Sequence, residues 1–318
     1  MRSPAQQCQY YTFPDSNAFF QLHRRSLFCL HTVEPTIMPP NQLSAFRTDP
    51  ESRVGISAGS ATAVKSWFAG IVALVVTVAF FSAVFFLPDI TFRATMLDRG
   101  PTQFVAVFLG IWCAVILLIK RSKLRLQRSA LQYSAIPENS DFILSSQTAD
   151  DLIRNIYHIA EDPERFVVFN RILIAVANLK NLGRVSDVDD ILRSIAERDE
   201  SAQQTSFAIL GGFLWAIPVL GFIGTVLGLA QAIGTFSELL DSQSDLSGIV
   251  GSLKEVTGGL STAFETTLVA LVIALAVQLW VTAQKKAEEV FLDDCNEYCL
   301  KQIVNRIKIL PFEQSREV

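Results

Sequence analysis

The stretch LSTAFETTLVALV, residues 260–272, sets Thr262, Glu265, Thr266 and Thr267 in a run otherwise suited to lipid or to a tightly packed bundle. An acid at membrane depth is a candidate for ion handling, because a charge there is tolerated mainly beside water or a partner. On a helix, Ala263, Thr267, Ala270, Ala274 and Gln278 share one face through spacings of three and four residues, and Thr266 flanks it. Small and hydroxyl-bearing residues ending in an uncharged amide suit a narrow hydrated or protein-filled lumen better than acyl chains. The earlier segment IPVLGFIGTVLGLAQAIGTF carries Gly221, Gly224, Thr225 and Gly228 on one face in the same way. For the glycines alone, close helix packing is the simpler reading, and a single threonine can bond back to its own helix. Two such stripes on successive antiparallel spans can line one axis, so pore and packing both stay open. Glu265 also has two readings. It either lies at the outer approach to Thr267 and admits an ion, or it snorkels to water or pairs with Lys254 or a partner's lysine.

The elements that must carry these residues follow from composition. The chain has 318 residues, half of them hydrophobic and 18% charged, too apolar for an ordinary soluble protein of that length. Four apolar runs, uncharged but for Glu265, are long enough to cross a bilayer: 66–87, 102–119, 207–233 and 260–283. Short external segments, 88–101 and 234–259, would join them in pairs. The segments 1–66, 120–206 and 284–318 hold 6, 12 and 6 of the 27 Lys and Arg, which leaves Arg93, Arg99 and Lys254 on the other side. By the positive-inside rule both termini are then cytoplasmic.

Residues 1–65 lack helical periodicity, are rich in Pro, Ser, Gln and Thr, and read as a disordered cytoplasmic extension. Segment 120–206 reads as helical. PERFVVFNRILIAVANLK opens at Pro163, and SDVDDILRSIAERDE opens at Ser186 and Asp187 as cap candidates. Val188, Ile191, Leu192 and Ile195 form one apolar face of the latter. Residues 284–318 continue the fourth span as a helical tail with Val290, Phe291, Tyr298, Ile303 and Ile307 available for packing. The fold class is thus an all-α integral membrane protein with four transmembrane helices and a cytoplasmic helical bundle.

The five cysteines, including the Cys295/Cys299 pair, make no framework and read as reduced thiols without a metal. His23, His31 and His158 are scattered, and neither a phosphate loop nor a nucleophile elbow occurs. No catalytic site and no cofactor are expected.

PVLGFIGTVLGLAQAIGTF, a linker of about twenty residues, then GGLSTAFETTLVALVIALAVQLW together resemble the paired signature of the MotA/TolQ/ExbB proton channel family. The signature lies within a family-like core at 207–300. The resemblance implies an inner-membrane subunit of bacteria whose copies, typically five, surround a dimer of a single-span partner of the ExbD, TolR or MotB kind. That partner carries a membrane aspartate that takes up and releases H⁺, or Na⁺ in some members, as ion-motive force becomes mechanical work. The family's threonine positions fall here on Thr225 and Thr267, with Thr266 and Glu265 beside the same path. Hydroxyls can bond a protonated carboxyl or hold water without adding an intramembrane charge. Two departures stand out: relatives of the ExbB and TolQ type often carry an acid at the position of Thr262, and they have three spans where this chain has four. A non-conducting membrane scaffold remains a rival reading. A secondary transporter would need an inverted repeat with broken helices, which the sequence lacks.

Overall fold

A computed structural model describes residues 62–88, 100–133, 148–182, 185–241 and 246–306, together with Arg93, Met96, Leu97 and Ile136. Residues 1–61, and with them nearly all of the amino-terminal extension, lie outside the described residues, as does Ile307. The described residues are overwhelmingly helical, in the order α1 (Ser66–Phe85), α2 (Pro101–Leu131), α3 (Ala149–Ile159), α4 (Val167–Leu182), α5 (Val185–Ser206), α6 (Ala208–Asp241) and α7 (Leu246–Gln302). Four stretches are long and apolar enough to cross a membrane, on α1, α2, α6 and α7. The chain is therefore a multi-pass, all-α membrane protein.

Local sequence explains the starts. Gly100 takes φ +96, a left-handed value that favours glycine, and Pro101 follows at the first helical position, where a missing N–H costs nothing. Asp150 and Asp151 lie in the first turn of α3 and His158 in its last, each on the favourable end of the helix dipole. Pro163–Arg165 forms a 3-10 turn, and α4 begins two residues later, at Val167. The first N–H of α4 is captured from outside: Gln127 of α2 accepts from Val167 N at 3.0 Å and donates to Arg165 O at 2.7 Å. Helix α5 starts at Val185, one residue ahead of the expected cap at Ser186.

One expected boundary moves. The segment 234–259 is helical wherever it is described, because α6 continues to Asp241 and α7 begins at Leu246. Within it, Gly259 packs on Gly228 and Ala232 of α6. The fourth span and its tail belong to one helix of 57 residues, about 85 Å long at the usual rise.

The spans pack through α2, α6 and α7, with α1 against α2. Trp112 is the pivot: its indole N–H donates to Ser66 O at 3.2 Å, its ring lies 4.7 Å from that of Phe213, and a Cβ on Gly70 would meet it at 2.8 Å. Gly110 of α2 similarly admits Ile273 of α7. Beyond the spans, the second half of α2, helices α3 to α5 and the end of α7 enclose a separate core around Ile156, Phe166, Phe169, Ile172, Val188 and Phe291. Val290, expected to pack, is instead exposed.

Ionic contacts link these two regions. Lys120, fully buried, donates to Glu288 at 3.1 Å and to Ser206 at 2.8 Å, and lies over the Phe207 ring at 4.1 Å. Glu288 also accepts from Thr62 at 3.0 Å and Gln284 at 3.1 Å. Arg171 is buried and donates to Asp199 at 2.9 Å and to Asn296. Cys295 and Cys299 are buried free thiols. Burial pushes Cys295 up to about 12 and Cys299 up to about 11, so both stay neutral near pH 8.

Two outcomes follow. Glu288→Ala strands a buried Lys120 charge and should destabilise the detergent-solubilised protein by about 3–5 kcal/mol, whereas Lys120→Met with Glu288→Leu should recover much of that loss. Thermal unfolding midpoints of the three proteins decide the point; equal midpoints for Glu288→Ala and wild type would show the pair to be idle. Maleimide at pH 8 should label Cys295 and Cys299 only after unfolding, read by peptide mass spectrometry, and rapid labelling of the native protein would contradict their burial.

Candidate ion-handling site

Helices α6 and α7 meet along a seam with almost no side chain in it. A Cβ on Gly221 would lie 2.7 Å from the Ala270 methyl, and one on Gly228 would lie 3.0 Å from both Ala263 N and Gly259 O. Gly259 approaches Gly228 O and Ala232 in return. Such proximity of two backbones is the use of small residues in membranes, where tight packing replaces a hydrophobic driving force. Pro218 sits inside α6 one turn before Gly221, and it cannot donate to the carbonyl four residues earlier.

The seam has two edges. One holds Thr225 and Thr267, which are half-buried and in mutual hydroxyl contact. Thr267 Oγ1 reaches Gly221 O at 3.0 Å and Ala263 O at 3.2 Å, and Thr225 Oγ1 reaches the same two carbonyls at 3.2 Å. Two hydroxyls own two protons, so at most two of these contacts are donated at once. The pair therefore keeps spare lone pairs and can redirect its protons. Around this edge, Phe222, Leu229, Phe264 and Leu271 are exposed in the single chain, so the hydroxyls lie beside an open apolar surface.

The other edge is closed. Thr266, one residue and about 100° away on the helix, is buried, and its hydroxyl donates to Ala263 O at 3.1 Å. A Cβ on Gly224 would meet Thr266 Oγ1 at 2.7 Å and Thr102 Oγ1 of α2 at 2.9 Å. Thr266, expected beside the ion path, thus packs toward α2 instead.

Of the small residues read as either packing or lumen-facing, most fill the seam itself. Gly221, Gly224, Gly228, Ala263 and Ala270 lie between α6 and α7, and Ala274 joins a cluster with Ala106 and Ile217. Their helical phase was legible, but a single sequence does not say which helix occupies the face. Gln278 is exposed and reaches Thr282 at 3.5 Å.

Glu265 accepts from Ser261 at 2.8 Å, one turn earlier on its own helix. Of the alternatives for Glu265, pairing with Lys254 within one chain does not form, because both sit on the continuous α7. Eleven residues separate them by roughly 16 Å along the axis, beyond the reach of their side chains. Thr262 bonds back to Gly258 O at 3.0 Å. Residues that sequence reasoning passed over include Thr102, which closes the inner edge, and Lys120 and Glu288. Glu288 shared its stripe with Val281, Gln284, Phe291 and Cys295 at helical spacing, a signal that it was buried.

Residues 165–294 match the model of the MotA/TolQ/ExbB proton channel family. The match takes in α4 and α5 as well as both seam helices, so the family region begins upstream of the core expected at 207. Helices α1 and α2 lie outside it. Neither curated proteins nor solved structures return a match.

The seam predicts a contrast between two glycines of α6. Gly228→Ala should cost about 1–3 kcal/mol, since the new methyl strikes α7 backbone. Gly211→Ala, with nothing within 4 Å, should be neutral or stabilise by up to about 1 kcal/mol through helix propensity. Thermal midpoints in one detergent measure both, and equal effects would contradict the close approach.

Proposed function

We propose that this chain, which carries a MotA/TolQ/ExbB proton channel family domain, is the ion-conducting subunit of a membrane motor, with Thr225 and Thr267 at its ion path. In this reading several copies, five by analogy with the family, form a ring in a bacterial inner membrane with both termini cytoplasmic. The exposed surface beside the threonine edge faces the axis, where two copies of a single-span partner each present an aspartate. The transported ion is H⁺, with Na⁺ the variant to test. The carrying observation is the threonine pair, two mutually bonded hydroxyls at the open edge of a seam otherwise closed by glycine and alanine.

The chemistry is modest and specific. When the partner carboxyl is protonated, a threonine lone pair accepts its O–H. When it is ionised, the same hydroxyls turn and donate. The pair serves both states and adds no charge of its own at membrane depth, so neither state is trapped. The Gly221 and Ala263 carbonyls hold the hydroxyl protons between events. Glu265, two residues before Thr267 on α7, is assigned to the ion's outer approach.

A non-conducting scaffold makes a different prediction. Thr267→Val keeps the side-chain shape and removes the hydroxyl. It should leave assembly size unchanged and reduce ion-driven flux in proteoliposomes containing the partner by about tenfold or more, since a hydrogen bond to a charged group contributes roughly 1.5–3 kcal/mol. Thr262→Val removes a hydroxyl that bonds back to Gly258 O one turn earlier, and flux should persist. Full flux in Thr267→Val would remove the pair from the path. A purified complex without a small single-span partner bearing a membrane aspartate would favour the scaffold.

A further inference from the structure

A second polar site lies away from the threonine edge, where the apolar stretches of α2 and α6 end. Helices α4, α5 and α7 surround a cavity of about 370 Å³. Arg165, Arg198, Gln203 and Ser206 contribute its polar wall, and Val167 and Phe291 part of its apolar wall. That volume lies in the range of small-ligand pockets. Ser206 bonds Lys120, the first charged residue after the apolar run of α2, and Phe207 beneath that lysine opens the apolar run of α6. The cavity thus sits at the depth where a lipid headgroup meets the chain.

Its electrostatics favour an anion. Asp199 and Glu288 also line it, but Asp199 is bonded by Arg171 at 2.9 Å and Glu288 by Lys120 at 3.1 Å. With those acids neutralised, Arg165 and Arg198 face Glu164 alone among the remaining charged lining residues, a balance of one positive charge. Nη1 of Arg165 is buried and has no hydrogen-bond partner among the described residues. A buried guanidinium N–H left without an acceptor costs as much as a lost hydrogen bond, and a planar fork of such donors matches phosphate oxygens.

We propose that this cavity binds a phosphate group, held by Arg165 and Arg198, with the apolar wall receiving the attached carbon chain where there is one. The same chemistry is offered by a phospholipid headgroup of the adjacent leaflet and by free phosphate. The inference stands apart from the ion-path reading, because it uses none of the seam residues.

The test uses the full chain, purified in mild detergent and stripped of lipid, with its thermal unfolding midpoint followed during titration. Dioleoylphosphatidylglycerol in mixed micelles, dioleoylglycerol as the phosphate-free lipid, and sodium phosphate are the three probes. A saturable rise with phosphatidylglycerol but not with dioleoylglycerol or sodium phosphate is the expected result and assigns a lipid headgroup. A saturable rise with sodium phosphate as well supports the site and assigns the free anion as a ligand. In either case Arg165→Gln with Arg198→Gln should weaken half-saturation by about tenfold or more, the loss of two charge-assisted contacts. Arg198→Gln alone changes an exposed side chain and should fold normally while weakening binding in the same direction. Equal responses to phosphatidylglycerol and dioleoylglycerol, no saturable response, or unchanged binding in both variants would overturn the proposal.

Discussion

Everything at the candidate ion path depends on how closely α6 and α7 approach each other. Gly221, Gly224, Gly228 and Gly259 are glycine because a methyl there would overlap the opposing helix, in part its backbone. That approach brings Thr225 and Thr267 into contact and lets each reach a carbonyl of the other helix. In water such a seam would be poor packing, with little apolar area hidden per residue. In lipid it is favoured by dispersion contacts and by polar groups that find partners across it. The constraint also divides the seam functionally, since the edge closed by Thr102 and Thr266 leaves only the opposite edge open.

The far end of the molecule is held by a different force. Lys120 and Glu288 are removed from solvent together, and Ser206, Thr62 and Gln284 complete their coordination. Buried pairs of this kind fix geometry more than they add stability, because desolvation offsets most of the attraction. Here the geometry fixed is the register of α2 and α7 at the point where α5 turns into α6. Arg171 does the same for α4, α5 and α7 through Asp199 and Asn296. A shift of α7 along its axis would break both sets of contacts, and the same helix runs from the seam into the core around Phe169 and Phe291.

Much of this architecture was legible in the residues. Long apolar runs with charged ends mark spans because the bilayer imposes their length, and the helical phase of Gly221, Gly224 and Gly228 is a matter of spacing alone. The occupant of that phase was not legible. Small residues facing a lumen and small residues facing a helix look identical in one chain, and here Ala263, Ala270 and the glycines face the helix. The segment 234–259 read as an external connection, yet α7 already runs through Gly259, where packing on Gly228 and Ala232 outweighs a glycine helix penalty of about 1 kcal/mol. Lys120 is simply the first charged residue after the second apolar run. Its partner Glu288 lies 168 positions away, a pairing that no local pattern reveals.

The central claim is that the open threonine edge faces the axis of an assembly. Electron cryomicroscopy of the full chain in a lipid nanodisc shows this directly, through the position of Thr225 and Thr267 relative to the symmetry axis. A closed ring with both hydroxyls turned to its axis, and Phe222 and Phe264 against neighbouring protein, is the predicted result. A monomer, or a ring in which that edge faces acyl chains, would contradict the account.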